Sequence, residues 1–199
     1  MSLSGLPSLF IALAGYNGTN IKASEKYFVN SNKWVCLPPL NIARQWPGSI
    51  LLKSKRAFCF SGYQWLHGGG PTIEIESINL KAETEWKTLP FNPKIAKTFQ
   101  LAAVEVKNKI VLFGGHSSVN SFNTQILSTE GELEHDLSED PLILGAMCRG
   151  SYTVQREKIY AVGSTKVNYM WDYRFRVFDR KKWSWFIQLI NQIQVTIKS

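Results

Sequence analysis

One pattern recurs along this chain and constrains its fold more than any other feature. Residues 101–115, LAAVEVKNKIVLFGG, hold two apolar runs separated by the polar turn Lys107-Asn108-Lys109. β-Branched and aromatic residues on both sides of such a turn are typical of a β-hairpin. The second arm ends in Gly114-Gly115, a pair that can adopt positive φ and lets another stretch of backbone approach closely. The segment therefore predicts two antiparallel strands followed by a tight turn.

Three further copies of this hairpin are present. Residues 50–62 read ILLKSKRAFCFSG, residues 151–163 read SYTVQREKIYAVG, and residues 9–15, LFIALAG, supply the second arm alone. The pairs that close the four copies recur about every 50 residues: Ala14-Gly15, Ser61-Gly62, Gly114-Gly115 and Gly163-Ser164. A period of this length indicates four copies of one supersecondary unit.

A bulky residue follows each glycine pair by about 20 to 25 residues and supports the same period. Trp34, Trp86 and Trp183 hold this place in units one, two and four, and Leu133 holds it in unit three. Because an indole ring offers a large apolar face, we expect these side chains to be buried between neighbouring units. The units then span about 9–40, 49–91, 99–137 and 149–187 of a single domain, 1–199.

A period of about 50 residues with four strands per unit is the signature of the kelch repeat. Over nearly its whole length the chain resembles the kelch-repeat β-propeller family. The resemblance implies an all-β fold of four-stranded antiparallel blades, with strands a to d running outward from a central channel. Kelch propellers usually have six or seven blades, so four visible units imply either a small ring or a partial propeller.

The two ends of the repeat array bear on how a ring would close. Unit one lacks strand a, and its first predicted strand is 9–14. Residues 193–197, IQVTI, alternate apolar and polar side chains with the period of a strand. We expect the segment 188–199 to be a closing strand beside 9–14, with completion of the ring by a second chain as the alternative.

The longest predicted loop between strands b and c, residues 63–72, reads YQWLHGGGPT. Exposed apolar aromatic residues are costly unless a partner covers them. Loops at one end of kelch-like propellers commonly bind partner proteins, including cytoskeletal proteins and ubiquitin-ligase substrates. We therefore expect a non-catalytic protein-protein interaction module, a scaffold or adaptor. The residues predicted to bind its partner are Tyr63, Trp65, Leu66 and His67.

A metal-dependent enzyme of kelch-like fold is the first alternative. His67 and His116 both fall in predicted b–c loops, which emerge on one face of a propeller. Galactose oxidase-like copper enzymes use such a propeller, but this sequence has no motif that matches their Tyr and His ligands. It also has no nucleophile elbow, phosphate-binding loop or paired-carboxylate motif. Glu74 and Glu76 share one face of a predicted strand, which we expect to face solvent. The sequence therefore predicts no enzyme, no catalytic residue and no cofactor or metal.

A basic surface that binds acidic partners or nucleic acid is the second alternative. The formal net charge is +8, from 23 Lys and Arg against 15 Asp and Glu, and such an excess attracts polyanions. Many lysines, however, fall in predicted hairpin turns, as Lys107 and Lys109 do, where solvated charge protects strand edges. We therefore do not expect nucleic-acid binding.

The cysteines and the apolar runs indicate the cellular setting. Cys36, Cys59 and Cys148 are odd in number and lack metal-ligand spacing, which favours reduced thiols in a cytoplasmic protein. No apolar run reaches the length of a membrane span, so no membrane partner is expected.

Overall fold

The chain is described here by a computed structural model, and its structure is all-β. The described residues are 9–65, 69–81, 84–90, 98–116, 124–137, 148–155, 157–167, 170–179, 181 and 184–187. Within them the strands form four larger antiparallel sheets, one in each predicted unit, and one two-stranded ribbon. The predicted all-β class is confirmed. No helix in these ranges is long and apolar enough to cross a membrane.

The first two sheets contain the following strands. The first sheet has the order β1 (Leu9–Leu13), β2 (Ser24–Phe28) and β3 (Lys33–Cys36), with a short 3-10 turn, η1 (Val29–Ser31), between the last two. The second sheet has the order β4 (Gly48–Leu51), β5 (Arg56–Phe60), β8 (Ile75–Asn79) and β9 (Lys87–Thr88). Between β5 and β8, the strands β6 (Tyr63–Gln64) and β7 (Gly70–Pro71) form the ribbon.

The third and fourth sheets each have four strands in sequence order. The third contains β10 (Phe99–Val106), β11 (Lys109–His116), β12 (Gln125–Ser128) and β13 (Leu133–Asp136). The fourth contains β14 (Cys148–Gln155), β15 (Lys158–Val167), β16 (Met170–Asp179) and β17 (Ser184–Ile187). The candidate closing strand, 188–199, lies outside the described residues. The first sheet has three strands among those described, as the missing strand a predicts.

Neighbouring sheets pack face to face, and both faces of the central strands are buried. In β5, Ala57 and Cys59 belong to the apolar cluster shared with the first sheet. Phe58 and Phe60, which alternate with them, belong to the cluster shared with the third sheet. Burial on both sides explains why this strand reads as a continuous apolar run. The third sheet repeats the alternation in β11, with one pair facing each neighbour: Ile110 and Leu112, then Val111 and Phe113.

Trp86 confirms the predicted burial of a repeated tryptophan between units. Its side chain is 2% exposed and packs with Leu37 and Leu40 of unit one. The indole Nε1–H donates a hydrogen bond to Ser24 Oγ at 3.1 Å. In unit three, Leu133 lies at the corresponding place and packs, half-buried, against the cluster shared with the second sheet. Both residues therefore tie their own sheet to the preceding one.

The prediction that Trp34 is also buried is wrong, because its residue is 52% exposed. Trp34 lies opposite Tyr27, and Tyr27 lies opposite Phe10, so the three rings form a row across the first sheet. The centroids of Trp34 and Tyr27 are 4.9 Å apart. Leu9 and Ile11 point the other way, toward the second sheet. Trp34 is exposed because no described sheet covers this outer face.

In unit four, the strand register gives the repeat position to a different tryptophan from the one predicted. Trp183 lies outside the described residues, and the strand register pairs Phe178 with Trp185. In unit three the equivalent pair is Leu127 with Leu133. The register therefore places Trp185, rather than Trp183, at the repeat position.

The glycine pairs at or near the end of strand b have a left-handed backbone conformation that admits neighbouring backbone. In units one to three, both residues of each pair have positive φ: Ala14, Gly15, Ser61, Gly62, Gly114 and Gly115. A Cβ at Gly62 would lie 3.0 Å from the Gln45 carbonyl oxygen, so this position requires glycine. The Gly62 N–H donates to the carbonyl of Thr98, 3.3 Å away, in the linker to the next unit. Gly114 and Gly115 lie within β11, and Gly163 and Ser164 of unit four lie within β15.

A fully buried arginine fastens the linker between units one and two to the second sheet. The Arg44 side chain is 0% exposed, and its Nη2 lies 2.5 Å from Glu76 Oε1. Its Nη1 donates to the backbone carbonyls of Ser61, at 2.7 Å, and Glu74, at 2.8 Å. The guanidinium therefore has both a counter-charge and several acceptors, which a buried charge requires.

The expectation that Glu76 faces solvent is wrong. Its side chain is fully buried, whereas Glu74, two residues earlier, is half-buried. Besides Arg44, the Glu76 carboxylate accepts hydrogen bonds from the backbone N–H groups of Asn41, at 2.6 Å, and Ile42, at 3.2 Å. The carboxylate thus holds the linker at three points.

We predict that Glu76→Ala lowers the free energy of unfolding by about 3–5 kcal/mol, because it leaves the Arg44 charge buried without a partner. Urea denaturation measures this loss. Glu76→Gln, which keeps an acceptor of similar shape, is the matched control and tests the charge alone. The double variant Arg44→Met/Glu76→Leu should recover much of the lost stability. A loss under about 1 kcal/mol in Glu76→Ala would contradict the buried pair.

We predict that Trp86→Ala lowers the free energy of unfolding by about 3–5 kcal/mol, and Leu133→Ala by about 2–3 kcal/mol. Trp86 loses the larger buried surface and a hydrogen bond to the first sheet. Urea denaturation of both variants gives the ranking. A larger loss in Leu133→Ala would contradict the packing of these two sheets.

Candidate functional site

Four aromatic side chains meet at one end of the second and third sheets, and we call them the aromatic cluster: Trp46, Tyr63, Trp65 and Phe99. Trp46 comes just before β4, and Phe99 begins β10. Tyr63 begins the ribbon strand β6, and Trp65 follows that strand. Three separate segments of the chain thus contribute to one surface.

The ring of Tyr63 lies at the centre of the aromatic cluster. Its centroid is 5.1 Å from that of Trp65 and 5.2 Å from that of Phe99, with both partners edge-on. The Trp46 ring stacks on Phe99 at 5.7 Å and lies 6.1 Å from Tyr63. These separations fall in the range in which aromatic pairs attract each other, so the rings hold one another in place.

The aromatic cluster remains open to solvent. Trp65 is 58% exposed and Trp46 is 46% exposed, while Tyr63 and Phe99 are half-buried. Side chains of this size normally lose most of their exposed surface when a protein folds. The cluster is therefore a contiguous apolar surface of the kind that marks interaction sites.

Backbone hydrogen bonds position the cluster on the fold. The N–H and carbonyl of Gln45 pair with the carbonyl and N–H of Tyr63, at 2.9 and 2.8 Å. The Gln100 N–H donates to the Trp46 carbonyl at 2.8 Å. Because Gln45 directly follows Arg44, the buried ion pair anchors the segment that presents Trp46.

Two cluster segments adopt backbone conformations that are rare for their residue types. Trp46 has φ of 52° and Gln100 has φ of 59°. A non-glycine residue in the left-handed region costs of order 1–3 kcal/mol, and such residues concentrate at functional sites. Positive φ also occurs at scaffold positions such as Ala14 and Ser61, so these two conformations describe the local backbone and do not by themselves mark a site.

Buried amide atoms next to the cluster lack hydrogen-bond partners. Gln45 is 3% exposed, and its Nε2 has no partner. The Oδ1 of Asn20 is also buried without a partner, although the Nδ2 of the same residue donates to the Tyr63 carbonyl at 3.1 Å. An unsatisfied buried donor costs about 1–3 kcal/mol.

The structure brings together two of the four predicted partner-binding residues. Tyr63 and Trp65 are in contact, whereas Leu66 and His67 lie outside the described residues. Sequence reasoning missed Trp46 and Phe99, although a signal was available. Each stands 15 residues before the first residue of its glycine pair, at Ser61 or Gly114. The repeat itself thus places an aromatic residue at this point in consecutive units.

Metal ligands are not clustered in the described part of the chain, where no group of three or more His, Cys, Asp and Glu side chains could hold an ion. His67 lies outside that part, and for His116 only the backbone, at the end of β11, is described. The alternative of a metal site at this histidine pair therefore stays untested.

The buried thiol of Cys59 lies near the ion pair but is not a nucleophile. Burial raises its pKa from an ordinary value of 9.0 to about 12, with Arg44 lowering it and Glu76 raising it to smaller extents. A thiol with this pKa carries almost no thiolate at neutral pH, and thiolate is the reactive form. Cys36, by contrast, is an exposed free thiol.

We predict that maleimide at neutral pH labels Cys36 in the native protein and spares Cys59 until the protein is unfolded; peptide mass mapping identifies the labelled site. Because folding raises the pKa of Cys59, its stabilising contribution is complete below pH 9.0 and is lost as the pH rises toward 12. Relative to Cys59→Ala, the wild type should lose unfolding free energy on the order of 1 kcal/mol by pH 10. Equal labelling of the two thiols would contradict this placement.

No protein-family model matches this chain, and no curated protein matches it. The functional assignment therefore depends on the geometry of the site itself.

Proposed function

We propose that this chain is a non-catalytic protein-binding module built as a kelch-type β-propeller of four units. Three observations support the architecture. Each unit contains one antiparallel sheet whose strands follow the same spatial order. Both residues of the glycine pair have positive φ in each of units one to three. Each sheet shares an apolar cluster with the next one along the chain.

The observation that carries the binding function is the exposed aromatic cluster. Trp and Tyr dominate the central contacts of protein interfaces, because they bury large surfaces with little loss of side-chain entropy. Here Trp46 and Trp65 are exposed, yet their neighbours Tyr63 and Phe99 fix them in position. Because this apolar surface is already ordered, little conformational entropy is lost when a partner binds.

We propose that the partner protein presents an extended apolar segment to this surface. Such a segment can place apolar side chains against the exposed rings of Trp46 and Trp65. Aromatic-lined surfaces recognise extended, often proline-rich segments in this way. The resemblance to kelch proteins extends the proposal to a cytoskeletal or ubiquitin-ligase-related partner. The free thiols Cys36 and Cys59 support a reducing, cytoplasmic setting.

We predict that Trp65→Ala weakens peptide binding about 10-fold or more while leaving the melting temperature unchanged, because Trp65 is exposed and anchors the surface. Peptides are first selected on the wild-type protein from a phage-displayed random library. Their affinities for wild type and variant are then measured by fluorescence anisotropy.

Trp34→Ala is the matched control, since Trp34 is an almost equally exposed tryptophan, 52% against 58%, on the outer face of the first sheet. The control should bind the selected peptides as the wild type does. Failure to select any peptide, or an equal loss of affinity in the two variants, would refute the proposed function.

A further inference from the structure

A cleft of about 370 Å³ lies between the first and second sheets. We call it the basic cleft, because three of the eight residues that line it are lysines, Lys26, Lys55 and Lys81, and none of the eight is acidic. Its volume lies within the range of about 300–1,000 Å³ that small-molecule sites occupy. The basic cleft is at the start of strand b, next to Leu9 of β1, whereas the aromatic cluster lies beyond the end of that strand. The two surfaces are therefore separate.

Lys26 is the buried cation of the basic cleft. It is 8% exposed, and it lies opposite Ile11 on the face of the first sheet that is turned toward the second. Its Nζ lies 5.4 Å from the centroid of the Phe28 ring, and Phe28 also lines the cleft. The ammonium group is thus held beside the cleft and largely out of water, where an anion attracts it more strongly than at the surface.

The repeat shows that the fold does not require a lysine at this position. In every unit the position lies opposite the residue that stands three places before the glycine pair, and the four residues there are Lys26, Ser77, Ile126 and Val177. Ser77, Ile126 and Val177 are all buried and uncharged. Packing between sheets is therefore achieved without a charge in three units, and the cation belongs only to the unit that borders the basic cleft.

Lys55 and Lys81 add two cations at exposed positions of the second sheet. The Leu80 N–H donates to the Lys55 carbonyl at 3.0 Å, so the two segments that carry these lysines are held together. In the hairpin turn of unit three, Lys109 forms an ion pair with Glu134. The ion pairs found in the described part of the chain, by contrast, include neither Lys55 nor Lys81. Their positive charge is therefore available to a ligand.

The rest of the wall is apolar and weakly polar. Leu9 and Phe28 contribute from the first sheet and Leu80 from the second, while Asn30 and Ser31 of η1 add hydrogen-bonding residues. A mainly apolar wall with a few polar groups is typical of small-molecule sites. A ligand that matches this lining has an anionic group for the lysines and an apolar body for the wall.

We propose that the basic cleft binds a phosphate monoester whose apolar body is about the size of one aromatic ring. A phosphate monoester carries a charge of about −1.5 to −2 at pH 7, so it balances more of the charge of three ammonium groups than a carboxylate does. Lysine binds phosphate as a point charge and does not need the planar, bidentate geometry that arginine provides. This site is independent of the proposed protein-binding function.

The test is isothermal titration calorimetry of the full chain with phenyl phosphate, which has both parts of the proposed ligand. The wild type should bind it with a dissociation constant of about 1 mM or lower. Inorganic phosphate lacks the apolar body, and benzyl alcohol lacks the charge. Each of these two compounds should bind at least about 10-fold more weakly than phenyl phosphate.

Lys26→Met removes the buried charge and keeps an unbranched side chain, and it should raise the dissociation constant about 10-fold or more. Lys22→Met is the matched control, since Lys22 is an exposed lysine just before β2 that does not line the basic cleft. This control should bind phenyl phosphate as the wild type does. Circular dichroism verifies the fold of each variant. Lys55→Met and Lys81→Met, at exposed positions, should also weaken binding and provide the test if Lys26→Met fails to fold.

Three results would overturn the proposal. They are no binding of phenyl phosphate to the wild type, an equal loss in Lys26→Met and Lys22→Met, and binding of inorganic phosphate as tight as that of phenyl phosphate. A short peptide with one phosphotyrosine distinguishes the two sources of this chemistry. Binding as tight as that of phenyl phosphate assigns the cleft to a phosphorylated protein segment, and exclusion of the peptide assigns it to a free phosphate monoester.

Trp65→Ala separates this proposal from the proposed function. The variant should bind phenyl phosphate as the wild type does while losing affinity for the selected peptides, because Trp65 lies in the aromatic cluster and does not line the basic cleft. Failure of peptide selection with intact phenyl phosphate binding refutes the protein-binding function alone. Peptide binding without phenyl phosphate binding refutes the basic cleft alone.

Discussion

The buried ion pair between Arg44 and Glu76 is the interaction on which the first half of this structure depends. Burying two charges costs several kcal/mol per ion, and the pair is tolerated because the surrounding backbone satisfies both groups. That backbone belongs to the linker between units one and two and to the exit from strand b at Ser61. The pair therefore fixes where the second sheet sits relative to the strand that precedes it.

The same interaction connects scaffold and surface. Gln45 and Trp46 directly follow Arg44, and the Gln45 backbone pairs with Tyr63 at the start of the b–c loop. A charge held rigidly inside the protein thus determines where two aromatic rings stand outside it. Preorganised aromatic side chains lose little freedom on binding, so scaffold rigidity contributes directly to what the surface can do.

The parts of the structure that sequence reasoning predicted well are those set by local patterns. Alternating apolar runs and glycine pairs located the sheets, because both signals act within a few residues. The sequence could not show that Trp86 is buried whereas Trp34 is exposed. The difference depends on whether another sheet packs against the sheet face that carries each residue. Glu76 occupies the same alternating pattern as a solvated residue, and its partner Arg44 is 32 positions away. Trp46 and Phe99 could have been predicted from the sequence, because both occupy the same position of the repeat.

Burial of strand b on both faces has a consequence for how substitutions act. Phe58 and Cys59 are adjacent in sequence but belong to the cores of different sheet pairs. These two neighbouring residues therefore pack against different sheets. A substitution that changes the side-chain volume at one of them disturbs a different sheet contact from a substitution at the other. The stability of such a fold comes from contacts between neighbouring sheets, and not from one core that all the sheets share. Strain introduced at one junction can then be relieved at that junction alone, which lets loops and surfaces of individual units diverge while the stacking persists.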